Sequence, residues 1–578
     1  MNNTERPLRL PSVERPWMKY YKAELINQPI PSGTVYEFLY DNNCEYPDDI
    51  AILYQNIKIT YRQLFRQIDD CARAFMAIGV RRNDIVTMAM VSTPEAIVVF
   101  YALNRLGAIA NLIHPLANAE DICFYLNEVK SKVFVMFNGT WPIVKDVLSK
   151  SSVEKAIVVS PVEALSPAIK LVYQLKAHPP KVKEAQGVMT WKHFLRLGKG
   201  VELSEPMRAD DDWAAISHTG GTTGAPKGVI CTNFNYVAVP WQATLGRQHD
   251  RQESLMVTLP PFINYSLANS IIESLSFGLK TVLIPKYEPE KFLEYITRYS
   301  VNHIPSIPAY WKRILDLPVK KGCYSKLGFI VSGGEGLDVS TEEAINERLR
   351  QGGAKVELMK GTGMTELTSG VSNTYADCNV KGSVGIPYIM TNCRVVDVQT
   401  GEELSYNEEG ELCFSGPTVM VGYYNNPEAT ADIIKTDADG ARWLHTGDVG
   451  YITEDGVVFI TGRIKRLIMQ KDDNGMVSKI FPERIESIIS QMSAIEECCV
   501  VGKPHPDRIS LPVAYVVLTP GTRQEGGAIA QAVVDWCRDR LPAYMVPVEV
   551  HVLDVMPRTD RGKIDYRSLE ERSAATER

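Results

Sequence analysis

Residues Ser217–Val229 read SHTGGTTGAPKGV, and the short apolar run Trp213–Ser217 leads into them. Four glycines, at positions 220, 221, 224 and 228, let a backbone turn sharply and aim its amides at an anion. Thr219, Thr222 and Thr223 add hydroxyl donors, and Lys227 adds a compact positive charge suited to phosphate. The common phosphate loop has Gly-Lys followed by Ser or Thr. Here Lys227 follows Pro226 and precedes Gly228, so this is a phosphate loop of another kind. A bare surface loop seldom combines three threonines, four glycines and a Pro-Lys-Gly stop, so anion binding is the stronger reading.

Around this loop the chain alternates helix-like and strand-like segments. Leu64, Ile68, Ala72, Phe75 and Met76 form a stripe that predicts a helix over Tyr61–Val80. Asp84–Val91 reads as a strand. Ser92 is expected to cap a helix that has Pro94 in its first turn and ends at Gly107, and Ala108–Ile113 is strand-like again. The alternation recurs to about Gly440 and predicts layered α/β subdomains with mixed, largely parallel sheets. After Gly462 the texture changes. Pro482 opens a short helix with Ile485, Ile488, Ile489 and Met492 on one face, Ile495–Val501 and Leu511–Leu518 read as strands, and Ala528–Leu541 is a second amphipathic helix. A large N-terminal domain over 1–464 and a small, mobile C-terminal α+β domain over 465–578 are expected, with the boundary near Arg463–Arg466.

Bulk properties narrow the class. The 578 residues are 45% hydrophobic and 23% charged, an ordinary globular composition. A net charge of −7 without a long basic run argues against nucleic acid or an anionic membrane as partner. The N-terminus has no apolar core of signal-peptide length, and Ala96–Leu103 is too short to span a bilayer, so a cytoplasmic protein without an integral membrane segment is expected. Eleven cysteines without CxxC spacing read as reduced thiols.

Further segments carry chemistry: VSGGEGL at Val331–Leu337, KGTGMTEL at Lys360–Leu367, WLHTGDVGYITEDG at Trp443–Gly456, GRIKRLI at Gly462–Ile468 and MPRTDRGKIDYRSL at Met556–Leu569. Together with Ser217–Val229, and in this order, they resemble the signature motifs of the adenylate-forming superfamily: acyl-CoA and aryl-CoA synthetases, peptide-synthetase adenylation domains and beetle luciferases. The resemblance covers nearly the whole chain and is closest to acyl- and aryl-CoA synthetases. It implies that Thr219, Gly220, Gly221, Thr222, Thr223, Gly224 and Lys227 cradle the ATP phosphates. Thr365 would contact the α-phosphate, and Glu366, with Thr222, would hold Mg²⁺, a cation that takes one or two carboxylates plus phosphate oxygens. Gly333, Gly334 and Glu335 would line adenine and acyl group. Asp448 and Arg463 would bind the ribose, where a carboxylate accepts two charge-assisted hydrogen bonds. Lys465 would be the hinge, and Lys563 would reach the substrate carboxylate and the α-phosphate. The Asp455-Gly456 pair reads only as a hairpin turn.

Three positions depart from the family pattern. Thr362 stands where a Tyr usually stacks on adenine, Ile263 replaces the aromatic or His that helps place the carboxylate, and Met469, at the head of a longer loop MQKDDNGMVSK, stands where many CoA ligases have Lys. The acyl pocket is expected to involve Ile263, Asn264, Tyr265, Ile307, Gly334 and Met359, which suits a fatty, aromatic or polycyclic acid; Asn264 reads equally well as ordinary packing. The implied reaction is attack of a carboxylate on the α-phosphorus of ATP with loss of pyrophosphate, then transfer of the acyl group to coenzyme A. Two alternatives stand beside it: loading of a free-standing carrier-protein thiol or amide formation, and nucleotide binding without catalysis. Oligomeric state is not legible.

Overall fold

A computed structural model describes residues 9–146, 148–182, 184–185, 187–203, 209–219, 226–246, 249–471, 477–522, 526–558 and 564–575. The chain divides into two compact units. The larger comprises Trp17–Asn392 and Phe414–Leu444; the smaller comprises Met1–Pro16, Cys393–Cys413 and His445–Arg578.

Two mixed, mostly parallel sheets build the larger unit. One has eight strands in the spatial order Gly422–Tyr423, Lys227–Thr232, Trp213–Thr219, Ile109–Leu112, Ile85–Ala89, Val133–Phe137, Lys155–Val159 and Val188–Thr190. The other has nine and includes Met359–Gly363, Phe329–Ser332, His303–Ser306, Ser254–Val257 and Lys280–Leu283 as neighbours. Local sequence accounts for the elements. The helix Tyr61–Ala77 starts at a capping box in which Thr60 and Gln63 satisfy each other's backbone amides, and it buries Leu64, Ile68, Ala72 and Phe75. Each such fully buried large side chain contributes about 1.5–3 kcal/mol. The helix Pro94–Arg105 is capped by Thr93, whose hydroxyl accepts from the Ala96 amide, and not by Ser92 as the sequence suggested. Pro94 fixes φ at the first helical position, which makes the residue immediately before it the cap.

The C-terminal part of the smaller unit has its own sheet, with neighbours Val477–Ile480, Ile468–Lys471, Ile509–Leu518 and Ile495–His505, and Glu549–Leu553 added in parallel to Ile509–Leu518. The helices Pro482–Ile489 and Gly526–Arg538 pack on it around a core containing Ile480, Ile485, Ile489, Val500, Val516, Ile529 and Val533. The two ends of the long segment after Met469 are antiparallel strands, Met469 pairing with Lys479 and Lys471 with Val477, while residues 472–476 lie outside the described residues. All eleven cysteines are free thiols. Among the described residues, no helix is long and apolar enough to cross a membrane.

Candidate active site

In the larger unit the strands that flank the phosphate-loop segment pair antiparallel. Trp213–Thr219 runs out and Lys227–Thr232 runs back, with Thr219 opposite Lys227 and His218 opposite Gly228. A common phosphate loop joins a strand to a helix; the returning strand explains why Lys227 sits after a proline instead of opening a helix. Gly220, Gly221, Thr222, Thr223 and Gly224 lie outside the described residues. Near the end of the outgoing strand, His218 Nε2 is 2.7 Å from Asn111 Oδ1, and burial pushes the carboxyl of nearby Glu128 up to about 7.

Lys227 does not stand alone. Its ammonium lies 4.7 Å from the centroid of the Tyr423 ring, and the Tyr423 hydroxyl donates to Glu366 Oε1 at 2.7 Å. The strand Gly422–Tyr423 pairs with the returning strand, Tyr423 opposite Val229, which places the ring beside Lys227. Burial, with the Glu366 charge behind it, raises the Tyr423 hydroxyl far above its usual range, so it stays a donor. Sequence alone does not single out Tyr423, because nothing in GYYNN distinguishes a site tyrosine from a core one.

Thr365 and Glu366 occupy a short 3-10 turn, Thr365–Leu367. The residue after it, Thr368, has φ 64° and ψ −44°, and the Ser369 amide donates back to the Leu367 carbonyl at 2.6 Å. This is a three-residue γ-turn of the strained, positive-φ kind, on a β-branched residue that rarely adopts it. Thr368 is fully buried, and its hydroxyl donates to the Thr418 carbonyl at 2.8 Å. Surrounding contacts impose such strain, which costs about 1–3 kcal/mol, and here it sits two residues from Glu366. Thr368→Val keeps the shape and removes the donor; a stability loss of about 1–3 kcal/mol is expected in thermal unfolding. Thr368→Gly, which also relieves the φ penalty, should lose less.

The segment is anchored upstream by Lys360, which is buried with Glu342 at 2.5 Å and donates to Asn379 Oδ1 at 2.7 Å. Thr362 lies on the strand Met359–Gly363, opposite Ser372. Gly333, Gly334, Ile307 and Tyr265 converge: a methyl on Gly333 would meet the Tyr265 ring and the Gly361 carbonyl at 3.4–3.5 Å, and one on Gly334 would meet Ile307 at 3.7 Å. Gly334 also needs its glycine for conformation, with φ +87°. Met359 packs with Phe329 and Val331 on neighbouring strands, Ile263 is exposed just before the Asn264 turn, and Glu335 is exposed. Asn264 faces into the wall. It is buried, and its Oδ1 accepts from Ser217 at 2.5 Å and Tyr236 at 2.8 Å. Of the two roles open to it in the sequence, packing accounts for its contacts.

In the smaller unit, Asp448 and Arg463 are cross-strand partners, with Arg463 Nε 2.8 Å from Asp448 Oδ1. Glu411, which lies in no recognisable motif, sets the turn before Asp448. Its Oε1 accepts from the Gly447 amide at 2.9 Å and its Oε2 lies 2.8 Å from His445 Nδ1. Cys413 Sγ is 3.4 Å from the same His445 nitrogen, and burial pushes its thiol well up. Lys465 lies in the 3-10 turn Ile464–Arg466, and the next residue, Arg466, is tied down by Glu483 at 3.0 Å, Glu486 at 2.5 Å and the Val500 carbonyl at 3.2 Å. Lys563 lies outside the described residues. Arg466→Met would strip the half-buried Glu483 and Glu486 of their shared cation while Glu486 keeps the Val500 amide at 2.7 Å, and a loss of about 1–3 kcal/mol in the stability of this unit is expected. Burial already raises the Glu483 carboxyl. Without Arg466 the Glu483 carboxyl is held still higher, so the loss should shrink as pH falls toward 5 and grow toward 8, read by limited proteolysis or denaturant unfolding.

A family model described as AMP-binding enzyme matches residues 39–424. The chain belongs to the AMP-binding enzyme family. A second model, the AMP-binding enzyme C-terminal domain, matches residues 484–563. Among AMP-binding enzymes, the chain is 27% identical over 569 residues to the long-chain-fatty-acid–CoA ligase of Bacillus subtilis, covering 96% of this chain and 98% of that one. It is 26% identical over 563 residues to the probable 4-coumarate–CoA ligase 1 of Dictyostelium discoideum, covering 96% and 97%. ATP-bound MatB from Rhodopseudomonas palustris superposes with a TM-score of 0.81 at 23% identity, over 95% of this chain and all (100%) of that one. The anthranilate CoA ligase AuaEII in complex with anthranoyl-AMP gives 0.79 at 21%, over 95% and 98%. The layered α/β architecture with its C-terminal α+β sheet is thus the fold of adenylate-forming enzymes, and the resemblance to acyl- and aryl-CoA synthetases holds along the chain's length.

Proposed function

We propose that this AMP-binding enzyme joins an apolar carboxylic acid to ATP as an acyl-adenylate, releases pyrophosphate, and passes the acyl group to coenzyme A. The observation that carries the reading is the run Lys227–Tyr423–Glu366 at the start of the returning strand: a phosphate-suited cation and a buried carboxylate bridged by one tyrosine. The relatives named as CoA ligases for fatty and coumaric acids support the acceptor and the substrate class.

The residues fit Mg²⁺. Glu366 is a buried carboxylate that spends Oε1 on a single tyrosine donor and retains acceptor capacity for a cation. When bound, Mg²⁺ supplies charge neutralisation at the phosphate oxygens. Lys227 and the loop Thr219–Gly224 hold the phosphates of ATP. Asp448 and Arg463 orient the ribose, Thr365 donates to the α-phosphate, and Lys563 balances charge as the carboxylate attacks. Such a reaction relies on positioning and electrostatics more than on covalent help. Lys465, between the ion-paired Arg463 and the anchored Arg466, is the residue at which the backbone turns between the two half-reactions. The Tyr265, Ile307, Gly333 and Gly334 cluster offers apolar surface and little polarity, so the substrate is a fatty or aromatic acid without a charged tail.

The test is AMP and pyrophosphate release with ATP and Mg²⁺ over a panel of fatty, aromatic and short polar acids, with and without coenzyme A. Acyl-CoA from apolar acids is the expected product. Product only with a phosphopantetheinyl carrier would move the acceptor, and ATP binding without acid-dependent exchange would make the protein a nucleotide binder.

A further inference from the structure

The strands Lys155–Val159 and Val188–Thr190 are parallel neighbours, and the connection between them contains the helix Pro167–Ala177. A crossover helix of this kind ordinarily turns its apolar stripe onto the sheet. This one leaves an apolar stripe facing outward. None of its residues is buried. Ile169, Lys170 and Tyr173 are its more sheltered positions, and Lys170 lies 3.6 Å from Glu163. The opposite face carries Ala168, Leu171, Val172 and Leu175, spaced i, i+3, i+4 and i+7, so they form one stripe. Leu171 is 56% exposed, Val172 49% and Leu175 65%, and they are the only large apolar cluster on a single helix among the exposed hydrophobics of the described residues.

The charge around the stripe is segregated. From Ala164 to Lys183 the sequence carries Lys170, Lys176, Lys181 and Lys183 and no Asp or Glu, within a chain whose net charge is −7. Lys176 flanks the stripe in the last turn, and the helix leads through His178 and two prolines to Lys181. An apolar stripe bordered by lysines on a helix too short to cross a bilayer is the pattern of a helix lying in the interface of an anionic membrane. We propose that Pro167–Ala177 docks this enzyme on anionic lipid surfaces, with Leu171, Val172 and Leu175 inserted among the acyl chains and Lys176 and Lys181 at the headgroups. The low overall charge, which argues against a global electrostatic attraction, does not oppose a local one, because screening limits the field to about 8–10 Å.

The experiment is co-sedimentation of the full-length protein with vesicles of phosphatidylcholine alone and of phosphatidylcholine with phosphatidylglycerol. Wild type is expected to bind the anionic vesicles and to be released by salt. Leu171→Glu/Leu175→Glu should abolish binding while ATP- and acid-dependent AMP release with a water-soluble acid is unchanged, since both positions are exposed. Lys176→Gln and Lys181→Gln should each weaken partitioning roughly fivefold. Absence of wild-type binding to the anionic vesicles, or equal binding by the double glutamate variant, would overturn the proposal. So would self-association that the same double variant abolishes without any vesicle binding, which would make the stripe a protein interface.

Discussion

Glu366→Gln is expected to lower acid-dependent pyrophosphate exchange by about 10²–10³-fold, the scale set by removing one preorganised electrostatic group from a charged transition state. Glutamine matches the volume of glutamate, and its carbonyl oxygen still accepts the Tyr423 hydroxyl that now lies 2.7 Å from Oε1. Packing is therefore conserved, and the loss isolates the charge. The defect should respond to magnesium: the concentration needed for half-maximal exchange should rise, and thermal stability in the absence of nucleotide should stay close to wild type. Tyr423→Phe is the companion. It keeps the ring beneath Lys227 and removes only the hydroxyl, so it should cost about tenfold, through a Glu366 carboxylate that is less firmly aimed. Exchange by Glu366→Gln within twofold of wild type at low magnesium would remove this carboxylate from the phosphate site.

The second large effect is at Lys563. Lys563→Ala should reduce adenylate formation by about 10³-fold, because the approach of a carboxylate to an α-phosphate brings two anions together and the ammonium opposes their repulsion. Thiolysis of supplied acyl-adenylate by coenzyme A should remain within a few-fold of wild type, since that step begins after the anionic pair has been joined. Measuring the two half-reactions separately makes the result decisive: equal loss in both would refute the division of labour. Lys563→Arg distinguishes charge from geometry. It retains the charge on a planar, larger head, and partial recovery of exchange would assign the role to charge.

Much of this molecule is legible in its amino-acid order. The parallel layers announce themselves in unbroken apolar runs between helix stripes such as Leu64–Ile68–Ala72–Phe75, because both faces of those strands are covered. The hairpin at Asp455-Gly456 is equally plain, with Gly456 at φ 86° between paired strands. Asp448 and Arg463 read as separate ribose contacts in the sequence, yet they are opposite residues of one ladder. Their pairing depends on register, which sequence spacing alone leaves open.

What the sequence determined by itself was chemistry that is local in the chain: glycine density, Pro-Lys-Gly after the hydroxyls, the helical stripe from Leu64 to Met76, and motif order, each acting within a few residues of backbone. What only the tertiary structure decided was which groups meet across long separations. Tyr423 joins Glu366, 57 residues away; Asn264 turns from the pocket to Ser217, 47 away; and the stripe on Pro167–Ala177 faces out instead of in. Those outcomes follow from burial and hydrogen-bond competition among distant segments. A lone sequence position carries no record of that competition, because the winning partner is set by the packing of the whole unit.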